Sequence, residues 1–273
     1  MLRDSLKSIP PTPALLRREH SLVALTVFGL IAASLLMAAP IGRHTQAATD
    51  RCGVSDDLAA LDMNLPHVAQ SLAAGGPVVI VAFGSSSTYG TGASARDKTY
   101  PSRLAALLAR RLPGANIEVL NRGIGGEAAA ATLARIDTDV IAAHPALVIW
   151  QVGTNDVLRD VDPAEAGAVI REGVLRLQRA GIDVVLMDMQ FAPPIMRHAT
   201  FREMERVIAA EGRDLDVPVI RRFAMMREWA EEGRMPLSVM LGRDYLHMTD
   251  ASYDCLARYI GRGIVLAART PGS

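Results

Sequence analysis

The chain has 273 residues, half of them hydrophobic, with 29 basic and 29 acidic side chains. That length suits one catalytic-sized domain with a sizeable core. The balanced charge gives no electrostatic reason to expect nucleic acid or another polyanion, because phosphate binding relies on concentrated Lys and Arg.

The N-terminal part reads differently from the rest. Arg17 and Arg18 are followed by "SLVALTVFGLIAASLLMAAPIG", which carries no charge from Ser21 to Gly42. The stretch is about as long as the ~20 apolar residues that span a bilayer, yet it ends in small residues. "TQAA" then resembles an A-x-A-like cleavage site near Ala48. Residues 1–48 are therefore expected to be a signal peptide or, uncleaved, an N-terminal membrane anchor, with 49–273 the exported domain, periplasmic or secreted. Membrane contact is expected only through this segment. The two cysteines, Cys52 and Cys255, would then meet an oxidising compartment, and a bridge between them is expected. The alternative is two unrelated buried thiols. Residues Thr49 to Gly76 are expected to form a helix packed on the body.

From Pro77 onward the apolar runs "PVVIVAF", "NIEVLN", "ALVIWQVG", "IDVVLMDMQ" and "VPVI" alternate with helix-length segments. These are "YPSRLAALLARRL", an Ala-rich stretch to Ala143, "PAEAGAVIREGVLRLQRAG", a stretch to Gly212, and finally "SYDCLARYIGRGIVLAA". Continuous apolar strands separated by helices predict a parallel sheet covered on both faces. The expected fold is a three-layer α/β/α domain with a five-stranded parallel sheet, without internal repeats or a second domain.

In open parallel sheets ligands bind beyond the carboxyl ends of the strands, so the residues after each apolar run carry the functional signal. They are Gly84 to Thr88, Gly123 to Glu127 and Gly153 to Asp156, with "DYLHMTD", Asp244 to Asp250, before the last helix. Acyl chemistry by serine needs a nucleophile, an imidazole base, a carboxylate to orient it, and oxyanion donors. Ser85, Ser86 and Ser87 offer three hydroxyls, each readable as a nucleophile or as a turn residue. Asp244 and His247, three residues apart, can project to one side of a turn. Gly126 can expose a backbone N–H. Asn155 reads either as an amide donor or as a helix N-cap, and Asp156 or Asp162 could take the cap instead.

Gly123, Gly125 and Ala128 also satisfy G-x-G-x-x-A, a dinucleotide pattern. The match follows the second strand, however, and Gln151 stands where an acidic partner would be required, so no nucleotide and no other cofactor is expected. Cysteines this far apart do not suggest zinc. Met189, Phe191 and Met196 in "QFAPPIMRH" fit either a core or a pocket wall, and the few aromatics, 4% of the chain, suggest no stacking platform for a sugar.

"FGSSST", "GIGGE", "GTND" and "DYLH" resemble, in order and spacing, the four signature blocks of the SGNH/GDSL hydrolases, exported esterases and deacylases with a flavodoxin-like fold. The resemblance runs from about Pro77 to Ala268. It implies Ser86 as nucleophile, Asp244 and His247 as its triad partners, and Gly126 and Asn155 joining the Ser86 N–H in an oxyanion hole. The usual Gly-Asp-Ser is Gly84-Ser85-Ser86 here, which leaves open how the nucleophile loop is braced. The implied activity is removal of small acyl groups, such as acetyl, from a carbohydrate, so the expected partner is an acyl-ester substrate such as an acylated polysaccharide. Transfer of the acyl group to a sugar hydroxyl and non-catalytic glycan binding on the same scaffold are the alternatives.

Overall fold

Five strands, β1 (Val78–Gly84), β2 (Ile117–Gly123), β3 (Leu147–Gln151), β4 (Asp183–Met187) and β5 (Val219–Ile220), make one sheet in the order β2-β1-β3-β4-β5, every neighbouring pair parallel. The computed structural model describes residues 50–59 and 63–268. The expected leader, residues 1–48, lies outside them. β3 and β4 are buried at every residue and β1 at all but one. A strand covered on both faces has no polar side to present, which is why these runs show no alternation in the sequence. β2, at the sheet edge, is half exposed.

The covering helices form two groups. Tyr100–Arg111 packs against the last helix, Asp250–Ala267, while Pro163–Arg179 packs against Phe201–Asp214 and Ala129–Ala134. The core that results runs from Val78 and Ile80 through Trp150 and Leu186 to Trp229 and Ile260, all fully or almost fully buried. Among the described residues, no helix is long and apolar enough to cross a membrane.

Two expectations are corrected in detail. The segment before β1 forms two short helices, Asp56–Ala59 and Pro66–Ala73, because a proline opens a helix well but biases the residue before it away from the helical region. Leu65 has φ −126° and ψ 68° accordingly. This segment is pinned to the body where the Val68 N–H donates to Asp183 Oδ2 (2.9 Å) and Trp229 Nε1 donates to the Gly53 carbonyl (3.1 Å). The Ala-rich stretch breaks into Ala129–Ala134, Ile136–Asp139 and a 3-10 turn at Ile141–Ala143. Arg135 sits at the first break, its guanidinium drawn to the Gly84 and Arg122 carbonyls and to the Glu127 and Asp139 carboxylates.

Cys52 and Cys255 form a disulfide, Cα to Cα 5.0 Å, across 203 residues of sequence. It fastens the N-terminal segment to the buried side of the last helix. The strand order matters most for the site: connections leave β1 and β3 in opposite directions, and the loops that follow them part to leave a crevice at the carboxyl ends.

Candidate active site

Burial separates the three serines. Ser85 and Ser87 are 1% and 0% exposed, whereas Ser86 is only partly buried. Ser86 opens the one-turn helix Ser86–Tyr89 directly beyond β1, so its N–H is one of the orphan donors that every helix start leaves. That N–H has no acceptor among the described residues.

His247 Nε2 lies 2.9 Å from Ser86 Oγ, and His247 Nδ1 lies 2.6 Å from Asp244 Oδ2. The other carboxylate oxygen, Oδ1, accepts the N–H groups of Leu246 and His247, each at 3.0 Å. A three-residue spacing thus closes on itself: the backbone between Asp244 and His247 wraps the carboxylate and aims it at the ring. Partial desolvation raises the Asp244 carboxyl, but the hydrogen bonds from the His247 ring and from the two N–H groups outweigh it, and the group sits below its ordinary value. An ionised Asp244 fixes the proton on Nδ1 and leaves Nε2 to accept from Ser86.

The loop after β2 supplies the next group. Gly126 has φ +81°, a conformation that L side chains rarely adopt, and its N–H has no acceptor among the described residues. Its carbonyl accepts from Arg159 Nη2 at 2.6 Å. Asn155 Nδ2 donates to the neighbouring Glu127 carbonyl at 2.9 Å. An amide nitrogen carries two hydrogens, so one remains for a further acceptor.

Asn155 is not a helix cap. The turn Thr154–Leu158 is capped at Gly153, whose N–H donates to Asp156 Oδ2 at 3.2 Å, and Asp162 caps the following helix through Ala164 and Glu165. Asp156, almost fully buried, also accepts the Ala129 N–H at 3.0 Å. Burial raises its carboxyl, with the N–H groups of Ala129 and Gly153 opposing.

Several residues that sequence reasoning passed over turn out to hold the site. Gln151 Oε1 accepts both the N–H and the hydroxyl of Ser85, each at 2.9 Å. The residue that told against a dinucleotide site is therefore the brace of the Gly-Ser-Ser loop, in place of an acid before Ser86. Arg159 and Arg135 clamp the loop after β2 from two sides. Gly123, the first glycine of the apparent dinucleotide pattern, has a packing role: an added Cβ would lie 2.1 Å from the Tyr89 backbone nitrogen, so only glycine lets β2 end against the Ser86 helix. Met189 is fully buried, and Phe191 stands edge-on to Phe223 at 5.3 Å, which makes both packing residues; Met196 is partly buried. Among the described residues, no group of His, Cys, Asp and Glu is arranged to hold a metal. A cleft of about 690 Å³ lies between Tyr100–Arg111 and the last helix, lined by Arg103, Arg110, Asp254 and Arg258, and contains none of the site groups.

A 2-1-3-4-5 parallel sheet with a serine, an imidazole and a carboxylate in one hydrogen-bonded line at its switch point defines the class, that of the SGNH/GDSL-type folds. The chain belongs to the Non-GDSL lipase-like family, whose model matches residues 51–270. Among curated proteins it is 33% identical over 90 residues to Esterase TesA of Pseudomonas aeruginosa, across 32% of this chain and 45% of that one. It is 31% identical over 114 residues to the uncharacterized lipoprotein YqeF of Bacillus subtilis, across 40% of this chain and 46% of that one. The chain thus spans about half the length of the curated relatives it matches. Among solved structures it resembles a variant of Axe2, an acetyl-xylooligosaccharide esterase from Geobacillus, at 25% identity and TM-score 0.59, covering 68% of this chain and 94% of that one. A two-domain esterase active on acetylated mannans shares the fold at 18% identity and TM-score 0.65, covering 77% of this chain and 55% of that one.

Proposed function

We propose that the protein is an exported serine esterase that removes small acyl groups, acetyl first among them, from a carbohydrate. The observation that carries this reading is the unbroken line from Ser86 Oγ to His247 (2.9 Å) to Asp244 (2.6 Å). In the proposed reaction Ser86 Oγ bonds to the ester carbonyl carbon as its proton passes to His247 Nε2. The carbonyl electron pair moves onto oxygen, where the N–H groups of Ser86 and Gly126 and the Asn155 amide receive it. Collapse of this intermediate expels the sugar oxygen, which takes the proton from His247. Water then attacks the acyl carbon as His247 takes its proton, and collapse breaks the bond to Ser86 Oγ, which recovers that proton from His247 as the acid leaves. Asp244 keeps its charge throughout and steadies the imidazolium.

Carbohydrate is the favoured alcohol because structural relatives are described as acting on acetylated xylo-oligosaccharides and mannans. Export is supported by the Cys52–Cys255 bridge, since disulfides persist in oxidising compartments. It is supported further by the lipoprotein relative and by the uncharged run from Ser21 to Gly42. Residues 1–48 serve as leader or anchor and 49–273 as the esterase domain.

The test is release of acetate from acetylated xylo-oligosaccharide and of p-nitrophenol from p-nitrophenyl acetate by the parent and by Ser86→Ala. The parent should cleave both, and Ser86→Ala should lose roughly 10⁴-fold or more in kcat. Full activity in Ser86→Ala, or no cleavage of either ester by folded parent protein, would overturn the reading.

A further inference from the structure

Among the described residues, the exposed aromatic side chains lie on the loops that carry the site. Of the aromatic residues in the described part of the chain, only Tyr89 (63%) and Tyr245 (55%) are exposed, while the others are buried or half-buried. Tyr89 closes the one-turn helix that Ser86 opens, and Tyr245 lies between Asp244 and His247. The hydrogen bond from Ser86 to His247 ties together the two loops that carry these rings. Ile124, another exposed apolar side chain at 47%, stands two residues before Gly126.

Both tyrosines are held on fixed backbone. Ser86 and Tyr89 are three residues apart on a helical turn and so share a face. The Tyr89 N–H donates to the Ser85 carbonyl (2.9 Å), and its carbonyl accepts from Asn121 Nδ2 (3.3 Å). Tyr245 has φ +54°, a costly conformation for a residue with a Cβ. It is kept there by its N–H bond to the Gly242 carbonyl (2.9 Å) and by the turn around it, in which the Leu246 and His247 N–H groups donate to Asp244 Oδ1. Neither phenol hydroxyl has a hydrogen-bond partner among the described residues. An aromatic ring left in water on a rigid support, with an unused hydroxyl, is a contact surface awaiting a partner with an apolar face and a polar rim. A sugar ring has that form: its axial C–H groups make a face that stacks on an aromatic plane, and its hydroxyls can reach the phenols.

Resting on the esterase reading above, we infer that Tyr89 and Tyr245 are the carbohydrate-holding surface of the site, and that they set its preference for an ester carried by a sugar ring. They are specificity residues. They touch the alcohol side of the ester and leave the reacting atoms to Ser86 and His247.

The test reads binding and turnover separately. Titration calorimetry on Ser86→Ala with acetylated xylo-oligosaccharide and acetylated manno-oligosaccharide should detect binding to at least one. Adding Tyr89→Ala or Tyr245→Ala to that background should weaken it tenfold or more, whereas Tyr89→Phe and Tyr245→Phe, which retain the ring, should stay within about threefold. In the Ser86 parent, each Tyr→Ala change should lower the ratio of kcat/KM on the oligosaccharide to that on p-nitrophenyl acetate at least tenfold, mainly through KM. Saccharide binding without hydrolysis by the parent would sink the esterase reading and leave this surface standing. Absent binding of both saccharides, or an unchanged ratio in both Tyr→Ala variants, would overturn the inference, as would a loss confined to long-chain p-nitrophenyl esters, which would mark the rings as an acyl-chain contact.

Discussion

Access decides among three identical hydroxyls. Ser85 is tied to Gln151 and Ser87 is enclosed, so only Ser86 combines a reachable oxygen with an imidazole at 2.9 Å. Asn155 can be tested at the same scale. Its amide holds the Glu127 carbonyl and has one hydrogen to spare, and its position inside the turn removes the cap explanation. Asn155→Ala should lower kcat by about 10²–10³, the usual cost of one oxyanion donor, with KM little changed and the melting temperature within a few degrees of the parent. A variant with kcat within a few-fold of the parent would take Asn155 out of the reaction. Gln151→Ala has a different signature. It leaves the buried N–H and hydroxyl of Ser85 without an acceptor, at about 1–3 kcal/mol for each orphaned group, so stability should fall and kcat should drop about tenfold as the Ser86 loop loosens. A thermal melt together with kcat on p-nitrophenyl acetate checks both effects.

At the level of elements, the three central strands were legible because burial on both faces leaves an uninterrupted apolar run, and the loops at their ends were legible because glycine, serine and asparagine cluster there. β5 contributes just two paired residues, Val219 and Ile220, and was readable only as "VPVI". The line through Ser86, His247 and Asp244 followed from resemblance, since nothing local in "FGSSST" distinguishes its middle serine. Gln151, Arg159 and Arg135 were not legible: their partners lie 66, 33 and up to 51 residues away, and no local pattern encodes a contact across such distances. The exposed tyrosines were missed for the opposite reason, because a composition of few aromatics says nothing of where those few are placed. Gly123 ties sequence to element most tightly. Gly123→Ala puts a methyl against the Tyr89 backbone nitrogen, so β2 or the Ser86 helix must shift. The expected result is overpacking on the order of 1–3 kcal/mol together with a fall in kcat, read by denaturant unfolding and turnover on the same preparation. Parent-like values for both would show that the two elements have slack.

Two features act on the whole molecule. The Cys52–Cys255 bridge closes a loop spanning 203 residues and should stabilise the fold by about 2–5 kcal/mol. Thiol titration of denatured, unreduced protein should therefore find no free thiol, and Cys52→Ser should lower the melting temperature by several degrees. Asp188 works in the other direction. Burial pushes its carboxyl up to about 7, against the opposing Phe223 N–H and the Arg222 guanidinium. Because its value is raised on folding, the stabilisation it gives is fully present below the unfolded value of 3.8 and is gone once the pH has risen through about 7. Asp188→Asn keeps an acceptor for Phe223. It should be more stable than the parent at pH 8, by up to about 4 kcal/mol, and lose that advantage toward pH 4. Comparing the two proteins isolates Asp188 from Asp183, which burial also raises, and from Asp244 and Asp250, which sit low. Equal stability at pH 8 would show that the buried carboxylate is fully compensated.

In the proposed reaction Ser86 alone carries the acyl group. Active-site labelling with an organophosphonate ester, followed by peptide mass spectrometry, tests it most directly. One phosphonyl group per chain is expected, located on Ser86, with p-nitrophenyl acetate hydrolysis lost in step with labelling and no labelling in Ser86→Ala. A label on Ser85 or Ser87, or esterase activity that survives complete labelling of Ser86, would contradict it.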